Sequence, residues 1–416
     1  MKKLGWMAGL LTALLALAGC QLLDNETSFG PRRGAVTRER ARPVPPILSV
    51  VNKDTVIILT GVSFPKGYDW QRDTALGRVP CSLVVYAGTE KLLEVPVSDE
   101  AGVSADPDMH RWVDGHLYSD YASSAETLVA RDGKVLFRYP GREMLSGFWV
   151  DGEDVYTLGQ NRSGAGFSLR RNGRELLTEP AGYVQGNFYD AAFPGGALYK
   201  DGEDLCFSFF RLTGTHKTWF LVRNGTVEPV PVDSDLDPVM DVRRLGGHVC
   251  LVAGKAGVTA SPVLVIDGER FPVGEDRPHQ ERNCRLAWNG ERVYVKGEYL
   301  YAGGMLHCLI SDRFGNRTGT RDNTKVIDFY LDKEEVAYVG TKGESTDVTD
   351  VNAGGRRYFP PGRYRLMTRA CVCLRGRRLY MALTSSKGGA PVLWENGKQK
   401  ELPFNGFLTG IDVTIR

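Results

Sequence analysis

Two kinds of tight-turn signal alternate along this chain at forty-odd-residue intervals, and they constrain its fold more than anything else in it. In one series the turn precedes an apolar run: Asn52-Lys53, Asp114-Gly115, Asp151-Gly152, Asp201-Gly202, Gly246-Gly247, Asn289-Gly290, Asp332-Lys333 and Arg375-Gly376. In the other the turn follows such a run: Ala87-Gly88, Asp132-Gly133, Asn172-Gly173, Asn224-Gly225, Asp267-Gly268, Phe314-Gly315, Gly354-Gly355 and Asn396-Gly397. The steps are 62, 37, 50, 45, 43, 43 and 43 residues in the first series, and 45, 40, 52, 43, 47, 40 and 42 in the second. Asn-Gly and Asp-Gly suit two-residue hairpin turns, whose central residues need positive φ and whose handedness matches strand twist.

Two hairpins per repeat make four strands, and four short strands with their turns use about 40 residues. The spacing therefore predicts an all-β fold: a β-propeller of about eight four-stranded blades over residues 47–416. A β-sandwich of this length would not keep a fixed period from end to end. The first series joins inner strand A to strand B, and the second joins C to D. Tyr118, Tyr156, Phe207, Tyr294, Tyr338 and Tyr380 recur at one position per blade and are expected in the core. Closure by the N- and C-terminal strands is expected as well, because 410–416 reads as an inner strand with no blade after it. Its natural partner is the run Val56–Leu59, and Ile47–Val51 competes with 410–416 for that inner-strand slot. Closure leaves no open sheet edge.

The chain starts with Lys2-Lys3, an uncharged run from Leu4 to Ala18, and Leu17-Ala18-Gly19-Cys20. The run is short for a membrane span and the right length for a signal-peptide core. The tetrapeptide resembles the lipobox of bacterial lipoproteins, which implies cleavage after residue 19 and acylation of Cys20. Residues 1–19 are then a signal peptide, and the membrane partner is lipid held through Cys20. Gln21, standing where the inner-membrane retention signal would place Asp, implies the outer membrane of the cell envelope. Residues 20–46, with Pro31, Pro43, Pro45, Pro46 and five arginines, read as an extended tether. Trp394-Glu395-Asn396-Gly397, echoed at Arg171-Asn172-Gly173 and Arg223-Asn224-Gly225, resembles the W-x-N-G blades of bacterial propeller lipoproteins of uncharacterised function. That resemblance implies no activity.

Without Lys2 and Lys3, the 52 basic residues become 50 against 50 acidic ones. A balanced chain lacks the excess positive charge that phosphate backbones select, so no nucleic-acid partner is expected. With Cys20 acylated, seven cysteines remain, an odd set that cannot all pair. Cys206, Cys250, Cys284, Cys308, Cys371 and Cys373 lie in or beside strand-like runs, where a free thiol behaves as a small hydrophobe. No C-x-x-C, H-x-H or H-E-x-x-H occurs, so neither a metal site nor a cofactor is expected. An EF-hand loop begun at Asp233 would need Gly and Glu where Pro238 and Arg244 stand. No nucleophile elbow, P-loop or dinucleotide fingerprint points to an enzyme.

Tight A–B and C–D turns leave one face of the disc plain, so variety falls to the B–C loops and D–A crossovers of the other. The candidate ligand-binding residues there are Tyr68, Trp70 and Arg72 in the long loop 63–80, Asp106 and His110 in the next crossover, and Arg162, His216, Tyr299 and Arg363 on other blades. Exposed aromatic rings beside charged groups suit capture of a glycan or peptide. In the competing reading Trp70 packs its own loop onto the disc. The leading functional expectation is a binding or interaction module for a glycan, peptide or partner protein. The alternatives are a carbohydrate-active hydrolase or lyase, using His110 or His216 with Asp106, Asp108, Asp233 and Asp235, and a structural subunit of an envelope complex.

Overall fold

The computed structural model describes residues 55–72, 80–97, 110–122, 126–140, 143–161, 165–185, 196–255, 258–273, 279–301, 306–320, 324–333, 335–342 and 345–415. They form eight antiparallel sheets arranged as the blades of a β-propeller. In blade 1 the order is Asn405–Ile415 (A), Thr55–Phe64 (B), Ser82–Ala87 (C) and Glu90–Pro96 (D), so the last strand of the chain seals the ring. Val56 stands opposite Thr414 and Leu59 opposite Ile411, which is the expected pairing. The competing segment 47–51 lies outside the described residues. Blades 2 to 8 follow in chain order. In blades 4 and 8 strand A is split, into Gly182–Val184 with Tyr199–Asp201 and into Tyr364–Arg365 with Val372–Arg375.

Both faces of each sheet pack on a neighbouring blade, so the core is eight separate layers. Leu83, Leu117 and Leu128 fill the junction of blades 1 and 2. Val351, Met381 and Trp394 fill that of blades 7 and 8, and Leu59, Leu393 and Leu408 fill the sealing junction. Burial on both faces explains why B and C strands read as nearly unbroken apolar runs. Of the repeated aromatics, Tyr118, Phe207, Tyr294, Tyr338 and Tyr380 are buried and Tyr156 is half-buried.

The C–D turns do more than reverse the chain. Asp132, Asn172, Asn224, Asp267 and Asn396 hold φ between 43° and 51°, each followed by a positive-φ glycine. Each also accepts, through its side-chain oxygen, the backbone N–H that opens strand B of its own blade: Leu117 (2.8 Å), Val155 (2.9 Å), Leu205 (2.9 Å), Val249 (2.9 Å) and Leu379 (3.1 Å). Asn and Asp fit because they tolerate the left-handed region and carry an oxygen at that reach.

The A–B turns differ from the expectation in one respect. Asp151, Asp201 and Asp332 are not central turn residues but the last residues of their A strands. Their carboxylates cross to the next blade. Asp201 accepts from the N–H groups of Gly246 (2.6 Å) and Gly247 (2.9 Å), Asp332 from that of Gly376 (2.5 Å), and Asp151 from Lys200 Nζ (2.7 Å). Acidic residues at this point of the repeat therefore stitch blade to blade.

Five inner hairpins carry a one-residue bulge on strand A, at Ser146, Met240, Ile327, Thr409 and the Asn283-Cys284 stretch. A bulge bends and twists the strand that carries it, as an inner strand beside a central channel must.

Candidate binding site in the central channel

A strands from blades 1, 2, 3 and 8 enclose a cavity of about 400 Å³. The lining residues that bear chemistry include His110, Arg111, Trp112 and Asp114 of blade 2, Trp149 of blade 3, Cys373 and Arg375 of blade 8 and Asp412 of blade 1. Strand A of blade 2 is short, His110–Val113, and its first residue is packed inside the ring. His110 is 8% exposed, and its Nδ1 has no hydrogen-bond partner among the described residues. Burial lowers its pKa to about 4, so the imidazole is neutral at ordinary pH. The two tryptophans are half-buried: Trp112 leans on the core between blades 1 and 2, and Trp149 on that between blades 3 and 4. The cavity thus offers aromatic and aliphatic walls, a neutral imidazole in its lining and charged side chains.

On blades 5 to 7 buried carboxylates of the inner strands bond to the neighbouring blade instead. Asp241 accepts the backbone N–H of Leu286 in the next blade (2.9 Å), and Lys296 Nζ donates to Asp328 of the next blade (3.0 Å). Both carboxylates are buried, and these bonds tie blade 5 to 6 and blade 6 to 7.

Of the residues nominated from sequence, His110 alone lines this cavity. Trp70 is 4% exposed, its ring 5.2 Å from that of Phe407 and 6.1 Å from that of Phe64. The exposed ring expected there is corrected to a packed one: enclosure by Phe64 and Phe407 secures the loop to blade 1 and leaves no free stacking face. Tyr68 packs beside it, 5.5 Å from Phe64, and its carbonyl accepts from Asn405 Nδ2 (2.9 Å). Arg72 is exposed and pairs with Asp69 (3.3 Å). His216 is exposed at the B–C tip of blade 4, and Arg363 is exposed beside the ring of Tyr364. Tyr299 lies in strand B of blade 6, in register with Glu281 and His307. Asp106, Asp108 and Arg162 fall outside the described residues. Asp233 and Asp235 both grip Arg270, at 2.5 and 2.8 Å, pinning the crossover into blade 5 onto its outer strand. Among the described residues no cluster of His, Cys, Asp or Glu suits a metal ion.

Sequence reasoning missed Trp112 and Trp149 because an aromatic residue in a predicted strand is read as core. Their place just before the A–B turns, at Trp112-Val113-Asp114 and Trp149-Val150-Asp151, was the available signal.

No protein-family model and no curated protein matches the sequence. Solved structures do resemble the fold. An acylaminoacyl peptidase from Pyrococcus horikoshii is 12% identical over 71% of this chain and 51% of its own, with a TM-score of 0.43. The polysaccharide lyase Uly1 is 9% identical over 86% of this chain and 98% of its own, with a TM-score of 0.42. TolB from Acinetobacter baumannii is 12% identical over 82% and 80%, with a TM-score of 0.34. The chain spans about half the length of the peptidase. At these identities the likeness is one of fold.

Proposed function

We propose that the chain is an envelope lipoprotein of the outer membrane, held there by an acylated Cys20, whose propeller acts as a binding module for a sugar unit taken into the central channel. The observation that carries the binding site is the cavity of about 400 Å³ lined by Trp112, Trp149 and His110. A pyranose ring has an apolar face that stacks on tryptophan, and its hydroxyls bond to a neutral imidazole without the desolvation cost of a charge. Of the acids named for hydrolysis, Asp233 and Asp235 are engaged by Arg270 and do not line this cavity, so they have no part in chemistry on a sugar held there.

The test is glycan-array binding by the full-length protein and by Trp149→Ala and His110→Gln variants. At least tenfold weaker retention by both variants is the expected outcome. No glycan retained by the parent protein, or equal retention by all three, overturns the sugar-binding reading. Anchoring has its own test: metabolic labelling with an alkyne fatty acid should tag the parent chain and leave Cys20→Ser unlabelled.

A further inference from the structure

The turn face of the disc is not uniformly plain. Six of the C–D turns pair a positive-φ Asp, Asn or Gly with a glycine, whereas blade 6 has the longer loop Arg313-Phe314-Gly315-Asn316. Asp312, 1% exposed at its base, accepts the backbone N–H groups of Phe314 (2.9 Å) and Asn316 (3.0 Å) and the amide of Asn316 (2.8 Å). The loop is therefore braced, and it holds Phe314 63% exposed at its tip. The Arg313 guanidinium lies 4.8 Å from the Phe314 ring and 5.9 Å from that of Phe271, and Arg292 lies 5.9 Å from Phe314. Arg313 makes no ion pair among the described residues; on blade 7 Lys333 in the A–B turn and Arg356 at the start of strand D stand exposed, and with Arg292 and Arg313 these cations outnumber the exposed Glu269 and Glu291 on the same turn end of blades 5 and 6.

Strand topology adds an independent observation. Strand B of blade 1 begins at Thr55, opposite Ile415, at the end of the sheet where the A–B turns lie. The described chain thus enters the body on the face that carries Phe314.

We infer that this face rests on an anionic lipid surface, with Phe314 inserted between headgroups and Arg313 and its basic neighbours paired with lipid phosphates. An aromatic ring gains most at the boundary between headgroup and acyl chain, and nearby cations add attraction to anionic lipid. In that orientation the loop face points away from the bilayer. The inference stands on the geometry of this loop, and a failure of sugar binding in the channel leaves it untouched.

The experiment uses the mature chain from residue 20 carrying Cys20→Ser, with and without Phe314→Trp, mixed with vesicles of brominated phosphatidylcholine with or without phosphatidylglycerol. The parent contains the same other tryptophans, so its signal is subtracted. The added tryptophan should be quenched in the phosphatidylglycerol vesicles. That quenching should fall at least threefold without the anionic lipid, in about 0.5 M salt, or when Arg313→Gln is added. If the added tryptophan is quenched no more than the parent in anionic vesicles, the inference is overturned, and the ring would then belong to a protein interface.

Discussion

Donor and acceptor complementarity repeats around the ring at single positions. Where the C–D turn carries Asp, strand B opens with His: His116 meets Asp132 at 2.7 Å and His248 meets Asp267 at 2.6 Å. In two of the three turns that carry Asn the partner is Asp: Asn172 donates to Asp154 at 2.7 Å and Asn224 to Asp204 at 2.6 Å, whereas strand B of blade 8 opens with Arg378. An amide needs an acceptor and a carboxylate needs a donor, so the pairs change together. Asn224→Ala loses the bond to Leu205 and strains a residue at φ 49°. It should cost about 1–2 kcal/mol in urea denaturation, with Asn224→Gly nearer the low end. Buried thiols give a second expectation. Burial pushes Cys81, Cys308 and Cys373 up to about 11 and Cys206 and Cys250 up to about 12. At pH 8 roughly one in a thousand such thiols is ionised at most, so alkylation of the native protein should be at least about a hundredfold slower than after denaturation. His110 gives a third. Its folded pKa near 4 lies below the unfolded value near 6.5, so the unfolded chain takes the proton first. Stability should fall as pH drops from about 6.5 to about 4, by about 3 kcal/mol at most, and His110→Gln should flatten that slope.

At the scale of the element, each blade is specified twice: by turns that were plain in the sequence and by bulges that were not. Gly159, Gly297 and Gly340 each stand seven residues after the second turn residue of their blade, in strand B where the A strand bulges. The interval is written in the chain, but a glycine inside a strand has no meaning until one knows what approaches it. A Cβ on Gly159 would lie 2.0 Å from Glu143 Oε2, inside the bidentate pair that Glu143 makes with the buried Arg170. A Cβ on Gly61 would lie 2.6 Å from the Phe407 carbonyl across the sealing hairpin. Gly159→Ala and Gly61→Ala should each lower stability by about 1–3 kcal/mol in thermal unfolding, whereas alanine at the unobstructed and solvent-exposed Ser234 should change little. The outer strands show a related device. Strand D bulges at Leu92, Leu136 and Leu176 in blades 1 to 3, which interrupts the outer edge as a template for pairing with another chain.

For the molecule as a whole, the ring depends on one non-local hairpin that joins residues about 350 positions apart in sequence. Removing Asn405–Arg416 would leave Thr55–Phe64 without its inner partner and open the layer formed by Leu59, Leu393 and Leu408. That truncation should abolish the single cooperative unfolding transition and expose apolar surface to a hydrophobic dye. The candidate site belongs to this scale as well. Trp112, Trp149, Arg375 and Asp412 come from four different blades and meet only once the wheel is closed.

The sequence alone determined the repeat and the strand count per blade, because hairpin turns and strand runs are local signals whose residues answer to their own backbone angles; it offered two terminal runs for the sealing slot, and the long-range pairing of Asn405–Ile415 with Thr55–Phe64 decided between them. Tertiary structure decided which face of each strand residue mattered. It turned Trp70 inward against Phe64 and Phe407, set Trp112 and Trp149 beside an open channel, and left Phe314 at a braced tip in solvent. Burial is a sum over neighbours distant in sequence, so an aromatic residue looks the same in the chain whether it ends in a core, a cavity or a surface.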